Sequence, residues 1–399
     1  MKKYILLQLA LLTLNSSYAQ SWNELDLNTD ERLNKIHFTS DEAGYIIGDN
    51  GLLLKTIDGG NNWVATDVGV SLNLMAISFV GNNVGYINGL KTIDGGITWF
   101  TQTASEEFGL IHALDENNLI AGLADDFSGD IYKSSDGGDS WEIIANPIFP
   151  LAGAYNDVCF INDELGYLSA WYSEHLVKTI DGGDNWIEIV IDIVDGADFS
   201  TDDFRAVDFP TENIGLVTHE NGILKTSDAG NTWSEIKPDN LSSSFYPEKI
   251  IALSTDNYIV VGGFPNVEIE KIYETTDGGT SWTESVNILD ALFDVACTSA
   301  NCFAVGSNGK VYRKENTTST NNELSENSTI KIYPNPTQDF LNIENSLGIT
   351  EVRIFNIEGK LLNSYSGNNR IDIAYLNSGI YFIKVISDET IFTSKVIKK

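Results

Sequence analysis

Six aspartates in this chain sit in near-identical surroundings: Asp58, Asp94, Asp136, Asp181, Asp228 and Asp277. Each follows a Thr or Ser by two residues and precedes a Trp by five, as in the stretch TIDGGNNW from Thr56 to Trp63. Carboxylates can act as general acids, as nucleophiles or as ligands for a hard cation. A hydrolytic pair, however, must converge on one bond. These six are spaced 36, 42, 45, 47 and 49 residues apart, which places one in each unit of a repeat. They are therefore expected to staple turns. The carboxylate accepts nearby N–H groups, Gly supplies positive φ, and the Trp brings a large apolar surface to the next strand.

A second group has the make-up of a ligand groove. Asp125, Asp126, Tyr155, Trp171, Tyr172, His175, Arg205, Tyr246 and Phe264 lie in or beside the longer connections. Aromatic faces next to charged groups suit a sugar or a peptide. The acidic run 192–203 offers Asp192, Asp195, Asp198, Asp202 and Asp203 as oxygen ligands for calcium, although their spacing is not that of an EF-hand loop. No other cofactor is implied. The four histidines are scattered, and no Cys/His spacing matches a zinc site. Asp157, Asp208 and Asp294, with Arg205 and Lys249, fall on predicted inner strands. Carboxylates converging there would favour a hydrolase; a bare funnel would favour a binding protein.

The chain has 399 residues and a formal net charge of −33, from 57 acidic against 24 basic residues. That balance argues against nucleic acid and against anionic membrane surfaces as partners. Helical periodicity is nearly absent, and short β-branched and aromatic runs alternate with Gly, Asn and Asp clusters. Lys2 and Lys3, an apolar run from Tyr4 to Leu14 and Ser17-Tyr18-Ala19 read as a secretory signal peptide over residues 1–19. No later stretch is apolar enough to span a bilayer. In an exported chain Cys297 and Cys302 can pair across the hairpin between them, while Cys159 reads as a small buried hydrophobe.

Each repeat divides into four strands. In the first these are Leu33 to Phe38, Gly44 to Gly48, Leu52 to Thr56 and Trp63 to Thr66, the content of one propeller blade. The other inner strands are expected to start near Met75, Ile111, Val158, Val207, Ile250 and Val295. Seven inner strands stand against six Asp turns, because the unit from Leu292 to Glu315 lacks an outer strand. Ser21-Trp22-Asn23-Glu24-Leu25 matches Ser281-Trp282-Thr283-Glu284-Ser285 and can supply it. The fold expected is all-β: a seven-bladed β-propeller over 20–315, closed by an N-terminal strand that leaves no open edge.

The Thr/Ser-x-Asp-x-Gly-x-x-Trp turn resembles the Asp-box, or bacterial neuraminidase repeat. With the Gly-Tyr second strands (Gly44-Tyr45, Gly85-Tyr86, Gly166-Tyr167) the region resembles the photosystem II assembly/stability factor propellers. That resemblance implies the fold; the C-terminal segment argues against a photosynthetic partner. Residues 316–329 read as a polar linker. Ile332 to Pro336, Val352 to Lys360, Ser378 to Lys384 and Ser394 to Lys399 resemble a type A sorting domain of the type IX secretion system over 330–399. The resemblance implies a small Ig-like β-sandwich, with the outer-membrane translocon and a sortase-like protease as partners.

Sialidases need an arginine triad for a substrate carboxylate, and the propeller holds only Arg32, Arg205 and Arg313. Xyloglucanase-type hydrolases face two propellers across one cleft. The expected function is an exported protein, at the cell surface or outside it, that binds an unidentified protein or glycan. A glycoside hydrolase is the alternative.

Overall fold

The computed structural model describes residues 22–399 apart from 103–107, 124–129, 146–154, 171–175, 190, 192–203, 221, 239–240, 242–244, 264–270, 286–289, 316–330, 335, 345–350, 356–360, 368 and 387–390. It divides into one unit up to Thr317 and a second from Thr318. Among the described residues the first unit holds seven four-stranded antiparallel sheets. Blade 1 comprises Leu33–Phe38, Gly44–Gly48, Leu53–Thr56 and Val64–Thr66. The inner strands of blades 2 to 7 are Ile77–Val80, Phe108–Ala113, Tyr155–Phe160, Phe204–Asp208, Pro247–Ala252 and Leu292–Cys297. Inner strands of successive blades are neighbours, and that of blade 7 lies against that of blade 1, so the ring is closed. Second strands are buried from end to end in blades 1, 4, 5, 6 and 7, as required of strands packed between two neighbouring blades.

Blade 7 takes its outer strand from the other end of the chain. Asn23–Leu25 pairs with Val311–Glu315 in the register Asn23 to Arg313, Glu24 to Tyr312 and Leu25 to Val311. Trp22 packs beside Ile259, Ile272, Val295 and Tyr312, and its indole N–H donates to Glu274 Oε1 at 2.8 Å. The seam has polar rivets as well. Arg313 Nη1 donates to Asn61 Oδ1 of blade 1 at 2.9 Å, and Ser299 donates through its N–H and hydroxyl to Asp41. Blades 1, 2, 4 and 5 place a Phe against a Gly where the first two strands meet: Phe38 and Gly44, Phe79 and Gly85, Phe160 and Gly166, Phe209 and Gly215. Blade 7 puts Cys297 opposite Cys302 at that place, and the structure joins them in a disulfide.

The six Asp turns share one hydrogen-bond plan. Asp58 Oδ1 accepts from the Thr56 hydroxyl and the Asn62 N–H, each at 2.9 Å, and Oδ2 accepts from Asn62 Nδ2 at 2.7 Å. The Thr56 hydroxyl in turn accepts the Gly60 N–H at 3.0 Å. Gly60, at φ +81°, leaves no room for a Cβ because the Phe303 ring of blade 7 lies against it. The carboxylates accept nearby N–H groups, as expected of turn staples. In the structure the buried group is the hydroxyl, with Thr56 1 % exposed, and the carboxylate faces solvent.

The second unit has a three-stranded sheet and a four-stranded sheet. Leu341, Ile343 and Ile371 from the first meet Val352, Ile354, Ile383 and Val385 from the second in one core.

Candidate ligand funnel at the propeller axis

The inner strands carry a β-bulge near their starts in six of the seven blades. A bulge adds a residue to one strand and re-aims its side chain. The residues so placed are Asn34, Gly109, Asn156, Arg205, Glu248 and Phe293, and Met75 stands just before the unbulged strand of blade 2. All seven line one cavity of about 260 Å³, together with Arg32, Lys35, Leu123, Tyr155, Asp157 and Lys249. The bulges also explain why five inner strands begin about three residues before the expected starts. A bulge breaks the alternation from which those starts were read.

Below this mouth the first residues past the bulges form a second level: Lys35, Asp157, Lys249 and Asp294. They line a deeper cavity, also about 260 Å³, that shares Lys35, Met75, Gly109, Asp157 and Lys249 with the mouth. The carboxylates here have structural work. Asp294 Oδ2 accepts the Ile36 N–H at 2.9 Å, from blade 7 to blade 1. Asp157 Oδ2 accepts the Val207 N–H at 3.1 Å, from blade 4 to blade 5. Asp208, two residues deeper in register, accepts the Ala252 N–H at 2.6 Å, from blade 5 to blade 6. Ser78 does the same for Ala113 at 3.0 Å. The inner edge of an inner strand has no strand partner, so its N–H groups face the channel and need acceptors. The preceding blade supplies them.

Charges in the funnel are arranged unevenly. Lys249 Nζ lies 2.5 Å from Asp157 Oδ2. Burial works against the ammonium, yet Asp157 and Asp294 hold it charged and push its pKa up. Burial raises the carboxyls of Asp208 and Asp294 against the pull of Lys249 and, for Asp294, Lys35. Arg205 pairs with Glu248 at 2.6 Å and its guanidinium stands 5.4 Å from the centre of the Tyr246 ring. The Arg32 guanidinium stacks 3.9 Å over the Phe293 ring.

The structure thus brings Asp157, Asp294, Lys249, Arg205 and Tyr155 to one funnel, with Tyr246 under Arg205, and sets Asp208 one level deeper. Asp125, Asp126, Trp171, Tyr172, His175 and Phe264 lie outside the described residues, as do Asp192, Asp195, Asp198, Asp202 and Asp203. Among the described residues no group of three or more His, Cys, Asp or Glu is placed to hold a metal. Two expectations are corrected. The histidines are not all scattered, since His37 and His112 line the same deep cavity. Their rings stack on Phe79 and Phe160 of the following blades, and burial lowers each pKa to about 4. Cys159 is half-buried and its thiol donates to Asp208 Oδ1 at 3.6 Å, so it is more than a small hydrophobe. Arg32, Asn34, Lys35, Met75, Glu248 and Phe293 are site residues that the sequence did not single out. The signal was present, as each stands in the first turn of chain into an inner strand.

The fold and site define the class: a closed Asp-turn propeller with an axial funnel, followed by a small two-sheet unit. Residues 14–148 and 148–328 match the family described as photosynthesis system II assembly factor YCF48, and the chain belongs to that family. Residues 331–399 match the secretion system C-terminal sorting domain, which marks the chain for type IX secretion to the cell surface or beyond. Photosystem II assembly lipoproteins Ycf48 are 31 % identical over 151 residues in Synechococcus sp. (strain CC9902) and 32 % over 133 residues in Prochlorococcus marinus. These matches cover 34 % and 30 % of this chain and 43 % and 38 % of those proteins, so the chain spans less than half of the curated relatives it matches. Among solved structures, YCF48 bound to D1 peptide superposes with a TM-score of 0.59 at 18 % identity, over 73 % of this chain and 96 % of that one. A GH74 xyloglucanase from Xanthomonas campestris gives 0.57 at 13 % identity, over 73 % and 53 %. No helix among the described residues is long and apolar enough to cross a membrane.

Proposed function

We propose that this protein, once exported, binds a segment of another protein in the axial funnel. The observation that carries the reading is the mouth itself, to which all seven blades contribute a side chain or glycine that bulged or strand-preceding backbone aims inward. A peptide needs such a mixture, with apolar surface at Met75, Leu123 and Phe293 and fixed charges at Arg32, Arg205 and Glu248. That the related YCF48 propeller was solved with a D1 peptide supports a peptide over a glycan. In this reading residues 1–19 direct export and the sorting unit is removed by the sortase at the outer membrane. The test is capture of peptides from a random library by the secreted protein, repeated with Arg205→Ala and Glu248→Ala. Loss of capture in both variants at unchanged melting temperature is expected; equal capture by wild type and both variants would place the site elsewhere.

A glycoside hydrolase remains the second reading, because Asp157 and Asp294 do converge in the funnel. Each already accepts a backbone N–H from the next blade and Asp157 is ion-paired with Lys249, so both carry a structural role, which ranks this reading second. Release of reducing sugar from xyloglucan by the secreted protein, abolished in Asp157→Asn, would reverse the ranking.

A further inference from the structure

The funnel cations fall into two kinds. Arg205 is matched by Glu248 and Lys249 by Asp157. Arg32 and Lys35, both from the first inner strand of the ring or the residue before it, have no ion pair among the described residues. Arg32 is exposed. Its guanidinium is fixed by stacking on Phe293, which leaves its donor fork unspent. Stacking and forked donation are compatible, since the ring takes the face of the guanidinium and the fork lies in its plane. In a chain of net charge −33, an exposed Arg32 with no ion pair among the described residues, above a Lys35 whose charge acts on the buried Asp294, is not a by-product of composition.

Their surroundings narrow the ligand. Going round the ring from blade 1, the described residues of the next two blades bring no charge to the mouth: Met75 from blade 2, then Gly109 and Leu123 from blade 3, with Tyr155 beyond. Among the described residues the funnel therefore has a cationic corner beside an apolar wall; the mouth carboxylates Asp157 and Glu248 come from blades 4 and 6, and Asp294 of blade 7 lies deeper, beside Lys35. Asn34, between Arg32 and Lys35, is 3 % exposed and is held by donating to Asp49 Oδ1 at 2.9 Å and to Leu74 O at 3.0 Å. The strand start that carries both cations is thus fixed before any ligand arrives.

We propose that Arg32 and Lys35 form a carboxylate subsite of the funnel, Arg32 binding both carboxylate oxygens and Lys35 adding charge from below, with the neighbouring apolar side chain of the ligand on the Met75–Leu123 wall. This deepens the peptide reading above and rests on it. Two sources carry that chemistry: the terminal carboxylate of a peptide whose last residue is apolar, and an Asp or Glu side chain flanked by apolar residues.

The experiment is capture by the full secreted protein from two pooled heptapeptide libraries, one with free C-terminal carboxylates and one C-terminally amidated, with wild type, Arg32→Gln, Arg32→Lys and Lys35→Met. Melting temperatures establish that each variant is folded. Wild type is expected to retain peptides, with Arg32→Gln lowering affinity at least tenfold, which corresponds to about 1.4 kcal/mol. Arg32→Lys should recover part of this, because charge returns and the fork does not. Retention from the free-carboxylate pool alone, with apolar last residues, identifies the terminal source. Equal retention of Asp- or Glu-containing peptides from both pools identifies the side-chain source. Peptides retained equally by wild type and Arg32→Gln overturn the subsite and leave the peptide reading standing. No retention by wild type from either pool overturns the peptide reading, and the subsite falls with it.

Discussion

The rim and the axis of this propeller use aspartate in opposite ways. At the rim, Asp94 takes hydrogen bonds from Thr98, Ile97 and Thr92, all in its own turn. These donors hold its carboxyl down at about 2, and Asp277 is held at about 2 by Ser281 and Thr275 in the same way. At the axis, Asp208 and Asp294 each take a backbone N–H from the next blade, and burial pushes both carboxyls up. A rim aspartate shapes a turn that is local in sequence. An axial aspartate joins blades whose bonded residues lie 44 or more positions apart. Exposure decides the direction of the shift: donors prevail where the carboxylate is wet, and desolvation prevails where it is dry.

The strongest way to break this comparison is at Asp157, the axial carboxylate that also carries an ion pair. Asp157→Ala leaves Lys249 buried without its closest partner. A loss of about 3–5 kcal/mol is expected, read by urea denaturation; a loss no larger than that of a rim variant would show that the axis is not dry. Next is the closing strand, the one place where rim packing depends on distant chain ends. Trp22→Ala should cost about 3 kcal/mol, and removal of residues 22–25 should leave an open blade edge and drive aggregation. Unchanged melting would mean that the pairing of Asn23–Leu25 with Val311–Glu315 contributes nothing to closure.

A smaller effect, of opposite sign, sharpens the contrast. Because its carboxyl is raised, Asp294 adds stability that is present below the unfolded pKa near 4 and is lost as pH rises through its folded value. Asp294→Asn keeps an acceptor for the Ile36 N–H and removes the charge. It should be at least as stable as wild type at pH 7 and lose that advantage on acidification. For Asp94 the sign reverses: its lowered carboxyl adds stability that is full above about 4 and lost as pH falls through about 2. Asp94→Asn should therefore be weaker than wild type at pH 6 and match it near pH 2, in urea midpoints taken across that range. Asp181→Asn should move the midpoint least, because Asp181 accepts three hydrogen bonds within its turn against four at Asp94, and it should leave peptide capture unchanged.

What the sequence determined by itself was the repeat and its closure. Thr/Ser, Asp, Gly and Trp at fixed spacing encode a turn through bonds spanning four residues or fewer, so six copies count six of the seven blades. The missing outer strand of the last blade pointed to Trp22 through the same local pattern. Three axial carboxylates and a lysine, Asp157, Asp208, Asp294 and Lys249, were legible as charges on otherwise apolar strands, although not the work they do. Only the tertiary structure decided the funnel. A bulge aims Asn34, Arg205, Glu248 and Phe293 into one cavity, and nothing in each short strand records where the other six blades point. The same holds for the stitches from Asp157, Asp208 and Asp294 and for the stacking of Arg32 on Phe293. Each joins groups that only ring closure brings together, at separations where local pattern carries no information.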